Sequence, residues 1–198
     1  AVFGGGWRRV KLGDTGAATV GALTSGYTVA TWAKSTGGSQ DWHLYASDNN
    51  GADYNGYAFL IKTDGSLALN TGVGGTGAEY SVAASLYNDS AWHHLALTFE
   101  DVGGGNYEAK FYVDGAQLGT TQAGTAVPSV YNTSTSTGAW GIGASEGGRF
   151  DAYGEMDDWR LYDNVLSESE IAALMIPEPS TLALLGLAGL ALVARKRK

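Results

Sequence analysis

Tyr153-Gly-Glu-Met-Asp-Asp-Trp-Arg-Leu-Tyr-Asp163 runs directly into Asn164-Val-Leu-Ser-Glu-Ser-Glu-Ile-Ala-Ala-Leu174, and the two halves obey different periods. The first alternates as a strand does, with one slip: Met156 is even, whereas Trp159 and Leu161 are odd. Successive strand side chains point to opposite faces, so a flat strand cannot bury all three on one side. The spacing predicts a β-bulge near Asp157-Asp158, where one extra residue resets the alternation. The second half starts a helix over 167–174: Ser167-x-x-Glu170 is a capping box, and Ile171 and Leu174 share a face. A closing strand followed by a short helix reads as the end of a folded unit, so the expected division is a body over 1–176 and a different segment over 177–198.

Upstream of that stretch the chain reads as short strands separated by turns. Ala1 to Gly6 reads as an edge or loose segment and Trp7 to Leu12 as a thin first strand. Tyr27-Thr-Val-Ala-Thr-Trp-Ala-Lys34 is rich in aromatic and β-branched residues and is bounded by Gly and Ser on both sides. Trp42-His-Leu-Tyr-Ala46 precedes a polar loop, and Tyr57–Thr63 with Ser66–Asn70 forms a hairpin across Asp64-Gly65. In Trp92-His-His-Leu-Ala-Leu-Thr-Phe99 the odd positions His93, Leu95, Leu97 and Phe99 share a face, as do Tyr107, Ala109, Phe111 and Val113 in the next run. The two runs read as neighbours facing one core, joined by a Gly-rich turn and followed by a tight turn at Asp114-Gly115. Gly119 to Gly138 reads as a long connection with little core, and Ala139–Gly143 as a further strand.

Composition agrees with this pattern. Thirty glycines and three prolines in 198 residues fit many tight turns. Cysteine is absent, which excludes disulfides and thiolate metal sites. Four of the twelve basic residues and one of the twenty acidic ones lie past Ile176, so residues 1–176 carry eight positive against nineteen negative groups, or −11. An acidic body repels phosphate backbones, which argues against nucleic acid as a partner. No internal repeat suggests a solenoid or propeller.

Taken in order, Tyr27–Trp32, Trp92–Phe99, Phe111-Tyr-Val-Asp-Gly115, Trp140-Gly-Ile-Gly143, Gly154–Tyr162 and Leu166-Ser-x-x-Glu-Ile171 resemble the LamG-like, concanavalin A-like jelly-roll family over about Trp7 to Leu174. The resemblance implies an all-β fold, a two-sheet antiparallel jelly-roll sandwich. The tail resembles the PEP-CTERM sorting signal of bacterial exported proteins: Pro177-Glu178-Pro179, an apolar run from Leu182 to Ala194, then Arg195-Lys196-Arg197-Lys198. The prolines stop the preceding helix. The apolar run reads as a C-terminal hydrophobic helix that enters the inner membrane, and the four cations hold its end on the cytoplasmic side. The run is shorter than the roughly 20 residues a span requires, which suits a transient anchor. This resemblance implies an exosortase-type processing protease as partner and a cell-surface or extracellular-matrix location for the body.

Three chemistries can be weighed on the residues. Laminarinase-like glycosidases of the concanavalin A-like class use Glu-x-Asp-x-x-Glu on one strand as nucleophile and acid. Here Glu155-x-Asp157 begins that pattern and Arg160 occupies the third position, so no catalytic residues are assigned and the protein is read as a non-enzyme. An ion pair at a bulge is the plainer account of Asp157, Asp158 and Arg160. Calcium is a candidate cofactor: Asp48, Asn50 and Asp53 offer hard oxygen ligands in one loop, although Asp and Asn are also ordinary turn formers. Aromatic faces stack on sugar rings, and Trp42, Tyr45, Tyr54, Tyr57 and Trp140, together with Tyr80 and Tyr87, lie in or beside loops. Trp32, Trp92 and Trp159 are assigned to packing, and His93, in phase with apolar neighbours, to a hydrogen-bonded place in the core. The resulting expectation is a binding or adhesion domain for an extracellular polysaccharide or a surface protein. The rival is a structural subunit that self-associates through sheet edges into a filament or layer.

Overall fold

The computed structural model describes residues 2–4, 10–11, 26–37, 42–47, 56–73, 76–86, 89–125, 140–143 and 153–175. They form twelve strands and one helix: β1 Val2–Gly4, β2 Val10–Lys11, β3 Gly26–Ser35, β4 Trp42–Ser47, β5 Gly56–Ile61, β6 Ser66–Val73, β7 Thr76–Ala83, β8 His93–Gly103, β9 Asn106–Val113, β10 Ala116–Gly124, β11 Trp140–Ile142, β12 Tyr153–Tyr162 and α1 Glu168–Leu174. Two six-stranded antiparallel sheets result, one ordered β1-β12-β3-β8-β9-β10 and the other β2-β11-β4-β5-β6-β7. This is the two-sheet antiparallel jelly roll that the family resemblance implies, and the alternating runs fit it. The opening segment is an edge strand, with Val2 opposite Glu155.

The slip in β12 is resolved by a bulge. Asp157 pairs with Trp32 and Arg160 with Ala30, so three steps along β12 oppose two along β3. Asp158 supplies the extra residue, in the left-handed region at φ 49°. Met156 is buried, and Trp159 and Leu161 pack against the same core, which is what one added residue achieves. The bulge carbonyl is not orphaned, because the buried Thr31 hydroxyl donates to Asp157 O at 3.0 Å.

The main core lies between the sheets. Tyr27, Leu95, Leu97, Phe99, Tyr107 and Phe111 from one sheet meet Trp42, Leu44, Phe59, Leu67 and Leu69 from the other. The Phe99 ring stacks on Tyr27 at 5.6 Å and on Tyr107 at 5.5 Å. The odd face of β8 points into this core as its alternation predicts. The even face is buried too: His94, Ala96 and Thr98 are almost fully covered. Part of that cover is α1, whose Ile171 joins Ala30, Ala96, Tyr112 and Leu166 in a second apolar cluster on the outer side of the first sheet. Buried Thr28 fixes the approach to the helix, donating to Asn164 O at 2.8 Å and accepting Leu166 N–H at 2.9 Å.

Both Asp-Gly turns form, in different ways. Asp114 and Gly115 both have positive φ between paired Val113 and Ala116, a two-residue hairpin turn. At Asp64-Gly65 only Gly65 has positive φ, and Gly65 N–H donates to Lys62 O at 2.9 Å, giving a longer loop. Two expectations require correction. Residues 119–124, read as connection, continue β10 past a register shift between Leu118 and Gln122. None of them is buried on this edge strand, and no apolar alternation marks them. His93 is only partly buried; its neighbour His94, 2% exposed, is the core histidine.

Candidate functional site

The sequence-based candidates divide into those the structure places and those outside the described residues. Trp42 is 1% exposed within the main core, so its ring cannot stack on a sugar; β4 turns it inward beneath Gly154. Tyr80, 4% exposed, is likewise a core residue, edge-on to Phe99 at 6.0 Å. Trp92, assigned to packing, is instead 42% exposed; it precedes the first paired residue of β8, His93. Tyr45, Tyr57 and Trp140 lie on β4, β5 and β11. Their backbones converge in one sheet, with Ser47 opposite both Tyr57 and Trp140. Tyr54, Tyr87, the calcium candidates Asp48, Asn50 and Asp53, the sorting residues Pro177, Glu178 and Pro179, and the terminal Arg195, Lys196, Arg197 and Lys198 lie outside the described residues. Among the described residues, no group of three or more His, Asp or Glu side chains is placed to hold a metal ion, and no helix is long and apolar enough to cross a membrane.

The strand that could have carried a catalytic pair is occupied by ion pairs. Glu155 accepts from Lys34 Nζ at 3.2 Å across the β3–β12 ladder. Arg160 grips Asp158 in bidentate fashion, Nε to Oδ1 at 2.8 Å and a terminal nitrogen to Oδ2 at 2.8 Å. The hydrogen bond that Arg160 donates to Asp158, followed by one with Tyr162, holds the guanidinium more firmly protonated than usual. The third position of the motif therefore bears a fixed cation with no proton to give.

A second cluster escaped the sequence reading. His93 Nδ1 is 2.7 Å from Asp114 Oδ2, and His93 Nε2 is 2.9 Å from Asp89 Oδ2. Asp114 also accepts His94 N–H at 3.0 Å through Oδ1, and Asp89 accepts Ala91 N–H at 3.0 Å. Burial pulls the His93 imidazole down, but the hydrogen bond and charge of Asp114 and then of Asp89 outweigh it and raise it above its ordinary value. Burial dominates at His94 and lowers it. No local motif signals this arrangement, because Asp114 is brought to His93 by the β8–β9 pairing.

The family model Laminin_G_3, of the concanavalin A-like lectin/glucanases superfamily, matches residues 6–172. The chain belongs to that superfamily. Residues 176–198 match the PEP-CTERM protein-sorting motif, so this concanavalin A-like chain carries a signal for export and sorting. Among solved structures, the CBM40 of Ruminococcus gnavus IT-sialidase bound to α2,3-sialyllactose superposes with TM-score 0.67 at 18% identity, covering 87% of this chain and 95% of that one. Leech intramolecular trans-sialidase gives TM-score 0.67 at 16% identity, covering 87% of this chain but 26% of the enzyme. Domain 4 of AbnA, an extracellular GH43 arabinanase from Geobacillus stearothermophilus, in complex with arabinotriose, gives 0.58 at 19% identity, covering 87% and 74%. At these identities the likeness is one of fold. No curated protein matches the chain.

Proposed function

We propose that this protein is the non-catalytic, carbohydrate-binding jelly roll of an exported bacterial surface or matrix protein, sorted through its C-terminal motif and processed by an exosortase-type protease. The observation that carries the reading is the correspondence with nearly the whole of a sialidase's carbohydrate-binding module, 95% of that chain, joined to a sorting motif in the same chain as the jelly roll. The ion pairs of Glu155 and Arg160 support the absence of glycosidase chemistry, since the acid position of a two-carboxylate mechanism holds a guanidinium. The body's charge of −11 favours neutral polysaccharide over anionic glycan, because a sialylated or sulfated chain would be repelled unless met by a local cation. With Trp42 and Tyr80 assigned to the core, Tyr45, Tyr54, Tyr57 and Trp140 remain as the sugar-stacking candidates. Asp48, Asn50 and Asp53 remain as ligands for a calcium ion that would order the same loop.

A glycan array probed with the purified protein, with calcium and with chelator, tests the reading. Retention on a defined neutral glycan, weakened in Trp140→Ala or Tyr57→Ala, is the expected result. Binding to no glycan under either condition would overturn it.

A further inference from the structure

We propose that His93 is a proton-operated latch that fastens the crossover between the two sheets to the β9–β10 turn. The crossover leaves β7 in the second sheet and enters β8 in the first, and its last described residues are Asp89, Ser90, Ala91 and Trp92. His93 touches both sides of the joint, Asp89 on the crossover and Asp114 on the turn. Both ring nitrogens face a carboxylate oxygen at hydrogen-bond distance, and a carboxylate can only accept. The imidazolium, with two N–H groups, satisfies both contacts; neutral imidazole leaves one carboxylate against a lone pair.

The structure also indicates which contact opens. Asp114 is a fixed post: its Oδ1 accepts the His94 amide, and the turn that carries it lies against α1, where a Cβ on Gly115 would meet Ala172 and Met175. Among the described residues, Asp89 has one further tie besides His93, the amide two residues ahead of it, Ala91 at 3.0 Å. On deprotonation the remaining proton stays on Nδ1 toward Asp114, Nε2 becomes a lone pair, and Asp89 is released. The crossover is already under local constraint, since Ser85 and Ser90 hold φ of 55° and 58°, a conformation unfavourable for a residue with a Cβ. Its other described backbone ties are Leu86 N–H to Gly65 O at 3.3 Å, near β7, and Ser90 N–H to Ser35 O at 2.9 Å, next to Asp89. Asp89 and Asp114 are the charged groups acting on His93; its neighbour across the ladder on β3 is Ala33, and α1 offers Ala172 and Met175 near the turn. The segment released carries Trp92, 42% exposed, so the latch would set how that ring is presented.

The test is a ¹⁵N imidazole NMR titration of the full chain, combined with the amide protection factor of Ser90, whose N–H bonds to Ser35 O. Below its pKa His93 should be protonated on both nitrogens, and above it should adopt the Nδ1–H tautomer, while protection at Ser90 falls severalfold. His93→Gln should show the low protection at every pH, and Asp89→Asn should lower the His93 pKa while retaining the turn to Ala91. An Nε2–H tautomer, protection that ignores the titration, or an unchanged His93 pKa in Asp89→Asn would each overturn the latch.

Discussion

Arg160 is the residue on which the non-enzymatic reading turns, and its pairing with Asp158 can be dissected. Asp158 holds φ 49° and is also the carboxylate partner. Asparagine tolerates the left-handed region but forms no ion pair, so Asp158→Asn isolates the electrostatic part, while Asp158→Ala removes both. For a partly exposed pair the ionic share is at most about 1 kcal/mol. In urea unfolding Asp158→Asn should lose no more than that and Asp158→Ala clearly more; equal losses would mean the backbone conformation contributes nothing. The two adjacent histidines make a prediction of opposite signs. Stability from His93, whose folded pKa is raised, is fully present below its ordinary 6.5 and is lost as pH climbs through the raised value. Stability from neutral His94, whose folded pKa is lowered, is present above 6.5 and lost as pH falls through the depressed value. Urea midpoints from about pH 5 to 8 should thus decline on both sides, and His93→Gln should abolish the alkaline decline alone. An unaltered alkaline limb in that variant would refute the assignment.

At the scale of elements, β12 and α1 were the most legible part of the sequence. A parity slip among Met156, Trp159 and Leu161 has one economical solution, a single added residue, and the register shift lies where that solution puts it. The capping box is equally local: Glu170 N–H donates to Ser167 Oγ at 3.4 Å, and Ser167 N–H to Glu170 Oε2 at 2.7 Å. What stayed hidden depends on contacts far apart in the chain. Period-two alternation reveals one buried face of β8, yet covering the other requires α1, more than 60 residues later, to fold back over Ala96. Trp42 looks like a rim aromatic because its neighbours are polar loops; only the sheet packing shows it facing inward. If α1 completes the body, Ser167→Ala should cost about 1 kcal/mol and Ile171→Ala about 2–5 kcal/mol in chemical denaturation. A near-neutral Ile171→Ala would show the helix to be peripheral. Gly154 is the tightest approach in β12: a Cβ there would collide with Lys34 O and lie 2.9 Å from the Trp42 ring. Gly154→Ala should therefore destabilise by about 1–3 kcal/mol, and a stable variant would contradict the packing of β12 on β3.

For the whole molecule, the sheet edges bear on the rival reading of a self-assembling subunit. β1 and β2 are three and two residues long, and β10 is interrupted by its register shift. Short and bulged edges blunt strand addition, so among the described residues three of the four edges give little template for a filament. The fold class and the sorting motif were readable because they rest on long-range order of motifs and on a composition change at the boundary. The ligand was not, because the proposed contacts are a few side chains in or beside loops, of types that also serve in packing and in ordinary turns. The proposed carbohydrate binding without turnover is tested by calorimetric titration of the purified protein with the best glycan from the array, followed by product analysis after prolonged incubation. Saturable binding with the glycan recovered intact is the expected result; release of shortened sugars that Glu155→Gln abolishes, or no binding heat at any concentration, would overturn it.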